Sequence, residues 1–183
     1  MSIVTLAEAK QQLRIADTDT SCDDEVQAYC DGITAVVEDY MHEVVEPRTV
    51  VEDVDGHRHF GRRFRLWSVP LISLTSVKSV YTEYEWDVSL MRPDPQTGLV
   101  RVLSGPPVRG LVEVTYQAGY EDVPVNYKRG ALVVLQHNWE TRRGVGALRS
   151  SVVGPEEIHN PHWMYSIPRK ALEWLGSPRV VVG

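Results

Sequence analysis

The residues of widest chemical reach in this chain are six histidines and two cysteines, so the search for chemistry begins with their company. His159 and His162, in "EEIHNPH", have Glu156 and Glu157 beside them and supply nitrogen and oxygen donors of the kind a divalent metal takes. A metal centre needs three or four ligands and partners that orient them. Pro161 between the two histidines fits a turn equally well. His57 and His59 form an H-x-H pair with no third donor in a recognisable spacing. His137 stands two residues before Trp139 in "VPVNYKRGALVVLQHNWETRRG". A general base needs a nucleophile or substrate group within hydrogen-bond reach, and no Ser, Cys, Asp or Glu accompanies it in a motif. His137 therefore reads as a surface or boundary residue. No G-x-x-x-x-G-K, G-x-S-x-G, H-E-x-x-H or C-x-x-C occurs. The expectation is a protein without catalytic residues, metal or cofactor; a metal-dependent hydrolase built on the His159/His162 loop is the enzymatic alternative.

Charge offers a second kind of chemistry. "HRHFGRRFR" gathers Arg58, Arg62, Arg63 and Arg65, a cluster suited to phosphates, to an acidic protein patch or simply to a solvated turn. A nucleic-acid-binding module is the alternative that this cluster raises. The chain as a whole carries 25 acids against 19 bases, net −6, and a molecule of that sign repels a polyanion. Aromatic residues with arginines nearby suit interfaces. Trp139, Arg142, Arg143 and Trp163 are the candidates for a subunit or partner contact, although Trp139 and Trp174 also fit core packing.

The elements that must position these groups follow from periodicity. "TLAE" is a capping box, Thr5 with Glu8, and Leu6, Ala9 and Leu13 share one face of a helix near residues 5–15. The polar "ADTDTSCDD" leads into a second helix near 23–44, with Ser21, Asp23 and Asp24 as candidate caps and Val26, Tyr29, Cys30, Ile33, Val36, Val37, Tyr40, Met41 and Val44 as its stripe. Residues 124–143 form a third helix, Pro-led, closed at Gly144, with Tyr127, Ala131, Leu132, Val134, Leu135 and Trp139 on one side. Ser166 and Pro168 open a fourth near 167–176, and Gly176 with Pro178 ends it. The stretch from 144 to 166 has no clear period and reads as a long loop.

Between the second and third helices the character changes. Short runs rich in Val, Thr, Tyr and Trp alternate with "VDGH", "DPQTG" and "SGPPVRG", the pattern of an all-β lobe. In "LISLTSVKSVY" the alternation changes phase, which points to a bulge near Thr75. The fold class is α+β: a small helical bundle formed by residues 1–46 and 123–183, with residues 47–122 inserted as a β-rich domain. Cys22 and Cys30, on or near one helix, would stand ~12 Å apart and stay reduced. No run approaches the ~20 apolar residues of a membrane span, and the opening "MSIVTLAEAKQQLRI" lacks a signal-peptide layout, so a cytoplasmic chain is expected.

The order "TLAEAKQQLRI", Asp-rich loop, long helix with "EDYM", "VPLISLTSVKSVY", "VPVNYKRGALVVLQHNWETRRG" and "IPRKALEWLGSPRV" resembles the head-tail connector (adaptor) proteins of long-tailed bacteriophages over nearly the whole chain. The resemblance implies a structural virion protein that assembles in the host cytoplasm as a ring, commonly a dodecamer, under the portal. The ring extends the DNA channel, lets the genome pass without specific binding and offers a docking surface to a neck, head-completion or tail protein. It further implies that the C-terminal segment docks on the portal protein, here through Trp174, Leu175, Arg179, Val180, Val181 and Val182. The β insert is where members of that family differ most.

Overall fold

A computed structural model describes residues 2–56, 61–143, 150–153, 156–159 and 167–179. In chain order the elements are α1 (Leu6–Leu13), α2 (Asp23–Met41), β1 (Arg48–Asp55), β2 (Arg63–Arg65), β3 (Leu71–Ser79), β4 (Glu85–Trp86), β5 (Met91–Pro93), β6 (Leu99–Val102), β7 (Leu111–Ala118), α3 (Val125–Arg143), β8 (Ser150–Val153), β9 (Glu156–His159) and α4 (Arg169–Leu175). The mixture of helices and antiparallel sheets is α+β, as the sequence pattern predicts. Two compact units result, Met1–His42 with Val123–Gly183, and Glu43–Asp122.

In the helical unit, the capping box forms as its residues dictate. Thr5 Oγ1 accepts from the Glu8 amide at 3.3 Å while the Thr5 amide donates to Glu8 Oε2 at 2.9 Å. The helix is shorter than the expected 5–15 because Arg14 turns left-handed at φ 59°, and the Ile15 amide then closes on the Lys10 carbonyl at 2.9 Å. α2 begins on Cys22, which makes no side-chain cap. Ser21 instead bonds Asp19 Oδ1 through both its amide and its hydroxyl. Three acids in the first turn, Asp23, Asp24 and Glu25, favour the positive helix end without capping it. The helix stops at Met41, not near Val44, because His42 is left-handed at φ 55°; Val44 joins the core of the β unit.

Apolar stripes pack this unit. Val26, Cys30, Ile33 and Val37 of α2 are buried, as are Tyr127, Ala131, Leu132, Val134 and Leu135 of α3 and Ala171 and Leu175 of α4. Each fully buried aliphatic chain contributes roughly 1.5–3 kcal/mol. α4 comes so close to α3 that a Cβ on Gly130 would sit 2.6 Å from Leu175 Cδ2, which accounts for a glycine inside a helix. Pro168 is the N-cap of α4 and not a first-turn residue as expected. Ser166 and Gly144 lie outside the described residues. The stretch read as a loop contains a short antiparallel hairpin, β8 with β9, Ser150 opposite His159. Four-residue strands with mixed polarity leave too little alternation to recognise.

Among the described residues of this unit, one charged side chain is buried. Lys10 is 4% exposed. Its ammonium donates to the Asp19 carbonyl at 2.8 Å, the Asp17 carbonyl at 3.2 Å and Asp23 Oδ1 at 2.8 Å, so all three N–H groups have acceptors. The Asp-rich loop is thereby fixed between α1 and α2.

The β unit holds a four-stranded antiparallel sheet, order β1-β7-β3-β4, and a three-stranded one, order β2-β6-β5. Val54, Phe64, Leu66, Leu71, Val77, Trp86, Val100, Val112, Val114 and Tyr116 are among its core residues. The pairing of β3 with β7 shifts register between Leu71 and Ser73 and again between Leu74 and Ser76, so Thr75 is a bulge as the phase change predicts and Ile72 is a second. Tyr116 is fully buried; its hydroxyl donates to Glu52 Oε2 at 2.8 Å and accepts from the Ser68 amide at 3.2 Å. Burial first, then the Glu52 carboxylate, push that phenol well above its ordinary range. Glu52 also accepts from the Trp67 amide at 2.9 Å, so one carboxylate ties β1, β7 and the chain after β2 together. Gly119 ends β7 at φ 121°, where a Cβ would meet Pro47 Cα at 2.7 Å.

Three outcomes test this account. Lys10→Met should cost about 2 to 4 kcal/mol in denaturant unfolding, since it leaves two carbonyls and Asp23 without their donor. Glu8 is held below its ordinary pKa chiefly by the Thr5 amide, against a smaller opposing effect of burial. A lowered carboxylate stabilises the fold above its unfolded pKa and loses that contribution as pH falls through the folded one. Glu8→Ala should therefore lower the melting temperature at pH 7 and change it much less at pH 3. Burial and the neighbouring Asp31 push the Cys30 thiol up to about 11. At pH 8 a thiol reagent should label Cys22 rapidly and Cys30 only after unfolding, read by mass spectrometry of the labelled peptides.

Candidate docking and assembly surfaces

The arginine cluster is the first candidate that the structure resolves in part. Arg58, with His57 and His59, lies outside the described residues. Arg62 donates to the Gly105 carbonyl at 3.0 Å and is occupied in holding a turn. Phe64 is the core residue of β2, so Arg63 and Arg65 both lie on its opposite face, Arg63 exposed and Arg65 half-buried. The pairing register then adds two arginines that sequence reasoning missed. Arg63 lies opposite Arg101 of β6, and Arg101 lies opposite Arg92 of β5. All three are exposed. The alternation in "LVRVL" places Arg101 outward, but only strand order and register bring it between the other two. Asp94 lies close enough for Arg101 to help lower its carboxyl, after the larger effects of its hydrogen bonds to Thr97 and Gln96.

The C-terminal candidates divide. Trp174 is 46% exposed, and Asn126 Nδ2 donates to its carbonyl at 3.1 Å, which brings the start of α3 with the exposed Val125 alongside. Leu175, expected beside Trp174 on the docking surface, is instead 3% exposed against Gly130, since consecutive helical residues point about 100° apart. The tail is anchored where it leaves α4. Tyr40 Oη donates to the Gly176 carbonyl at 3.2 Å, and the Arg179 amide donates to the Met41 carbonyl at 3.1 Å. Val180, Val181 and Val182 lie outside the described residues, as does Trp163.

Trp139 is half-buried and sets its ring edge-on to Tyr29, centroids 6.0 Å apart. It belongs with the packing of α2 against α3. Arg142 and Arg143 are the last two residues of α3. His137 sits at the core boundary, and its carbonyl accepts from Thr141 Oγ1 at 2.7 Å. Glu156, Glu157 and His159 are on β9, and His162 is outside the described residues. Among the described residues, no three His, Cys, Asp or Glu side chains are grouped to hold a metal ion.

A groove between α1 and α3 is lined by Glu8, Gln11, Gln12, Lys128, Arg129 and Leu132. The Glu8–Lys128 pair at 3.3 Å and the Gln12–Gln136 bond at 2.7 Å cross between these helices, so its polar groups serve packing. No nucleophile accompanies them. The β unit exposes apolar side chains that no period in the sequence marked: Val51, Trp67, Tyr81 and Leu103, between 58% and 76% exposed. Scattered singly over strands and turns, they are ordinary surface residues.

No family model matches the chain, and no curated protein matches it. Solved structures do resemble it. A chain from the neck of an empty GTA particle computed with C6 symmetry is 18% identical, with a TM-score of 0.64, covering 99% of this chain and 93% of that one. A chain from the virion of a native gene transfer agent (GTA) particle is 17% identical, TM-score 0.64, with the same coverage of 99% and 93%. A chain from the neck of a native GTA particle computed with C12 symmetry is 16% identical, TM-score 0.57, covering 100% of this chain and 97% of that one. Identities this low establish a shared fold, and the high coverage on both sides makes it the fold of the whole chain.

Proposed function

We propose that this chain is a structural virion protein, a head-tail connector that forms a ring under the portal, extends the DNA channel and gives neck or tail proteins a surface to dock on. The observation that carries the reading is the likeness over 99% of the chain to a component of a particle neck. Necks computed with C6 and C12 symmetry support a ring of many copies. The order of sequence motifs that resembles phage connectors supports it independently.

The physical properties agree. A channel wall that must release its cargo gains from repelling it, and the net charge of −6 has that sign. Ring subunits present two different flanks to their neighbours, and a helical unit with an inserted β unit supplies distinct ones. The portal-facing surface is centred on exposed Trp174, with Arg179 and the valines of positions 180–182 following it in sequence; Leu175 holds α4 against α3. Trp139, Arg142, Arg143 and Trp163 remain the candidates for subunit contact. The role is non-enzymatic.

Negative-stain micrographs of the protein mixed with its portal should show rings capping the portal end. Removing residues 177–183 should leave circular dichroism nearly unchanged and stop attachment to portal-bearing heads, so that filled heads accumulate without tails. Trp174→Ala should weaken attachment with little loss of stability. Heads that took up the shortened chain at normal occupancy would refute the docking role of the tail.

A further inference from the structure

The two units concentrate opposite charge, one on a single sheet and the other on a single helix. β2, β5 and β6 contain four arginines, Arg63, Arg65, Arg92 and Arg101, and no acid. α2 contains six acids, Asp23, Asp24, Glu25, Asp31, Glu38 and Asp39, and no Lys or Arg. The acids of this one helix equal the net charge of the whole chain.

The arginines are not scattered. Arg63, Arg101 and Arg92 are direct cross-strand partners, so they form a row on the exposed face, while Phe64, Val100, Val102 and Met91 face the core. Strands about 4.8 Å apart make that row roughly 10 Å wide. Like charges directly opposite each other destabilise a sheet. Asp94, just after the end of β5, relieves Arg101 in part, and the rest of the row is a standing cost that an anionic partner would remove.

α2 offers a matching surface. Asp24, Asp31 and Asp39 are exposed on the side away from the buried stripe, and Ala28, Gly32 and Ala35, also exposed, lie between them. A rise of 1.5 Å per residue puts neighbouring carboxylates of this series about 10 to 12 Å apart along the helix. The residues between them are small, so long arginine side chains could lie against the backbone. A carboxylate and a guanidinium pair through parallel hydrogen bonds, the geometry for which arginine is better suited than lysine.

We propose that the arginine row of β2, β6 and β5 is an assembly surface whose occupant is the acidic face of α2 in a second copy of this chain. The contact joins two different surfaces, so it is head-to-tail, the kind that repeats around a ring. This rests on the ring reading given above and assigns that reading its contact. A nucleic-acid phosphate backbone is the competing occupant for the arginines. The net charge of the chain and the presence of a fitted acidic helix in every subunit favour the protein occupant.

The test uses two full-length variants, Arg92→Glu with Arg101→Glu, and Asp31→Arg with Asp39→Arg. These positions are exposed, so circular dichroism and melting should stay close to those of the unaltered chain. Assembly is followed by sedimentation velocity and native mass spectrometry, alone and on portal-bearing heads. The unaltered chain should form rings that weaken as salt rises. Each variant alone should need about tenfold or more higher concentration to assemble. Mixed in equal amounts, the two variants should recover rings containing both, because each reversed surface then meets its complement on the other chain. Rings of the unaltered chain left intact by either reversal, or variants that fail both alone and mixed, would overturn the pairing and leave the ring reading standing. An unaltered chain that never assembled in either setting would overturn both. Short duplex DNA is the further probe: salt-sensitive binding abolished by Arg92→Glu with Arg101→Glu, with assembly unchanged, would give the row to phosphate instead.

Discussion

Lys10 brings an ammonium group into the interior of the helical unit, and the geometry of that unit's first half depends on satisfying it. A buried cation without acceptors would cost several kcal/mol, so the chain after α1 must turn back and present them. It does so with the carbonyls of Asp17 and Asp19, and with the Asp23 carboxylate at the start of α2. The nine residues between α1 and α2 are thereby held without a hydrophobic core of their own. α2 starts at a fixed point, and its buried stripe and acidic face both follow from that start.

The β unit solves a similar problem with an anion. Glu52 takes hydrogen bonds from the Tyr116 hydroxyl and the Trp67 amide, so its carboxylate orders the segment leading from β2 to β3. Around it, alternation divides β2, β6 and β7 into a core side and a solvent side. Where three strands place arginine at facing outward positions, alternation and register together produce a surface that neither alone would make. The helical unit thus fixes a loop with a buried cation, and the β unit with a part-buried carboxylate.

Much of this was legible in the sequence, for identifiable reasons. The Thr5–Glu8 capping box, the stripes of α2 and α3, the β character of the insert and the bulge at Thr75 are local patterns, and local patterns are what a sequence displays. The ends of α1 and α2 were not legible, because Arg14 and His42 adopt left-handed backbone in place of the glycine that usually marks a stop. Lys10 was visible in "LAEAKQQL" only as a polar residue, since its acceptors are backbone carbonyls that no side-chain motif encodes. Arg92 and Arg101 were missed as companions of Arg63 because cross-strand register is non-local. Leu175 and Trp174 were read as one surface. A single step around a short helix separates the side that packs from the side that stays exposed.

The four-stranded sheet ends on β1, eight residues long, which among the described strands pairs only with β7. Such an edge invites a second chain to add a strand, a hazard for any protein made in many copies before it is used. β1 carries Glu52, Asp53 and Asp55 against a single Arg48, a net charge of minus two within the strand. Two such edges approaching each other would concentrate like charge along the whole line of contact. The strand is in this way protected against pairing with the same edge of another copy, the first step of disordered aggregation.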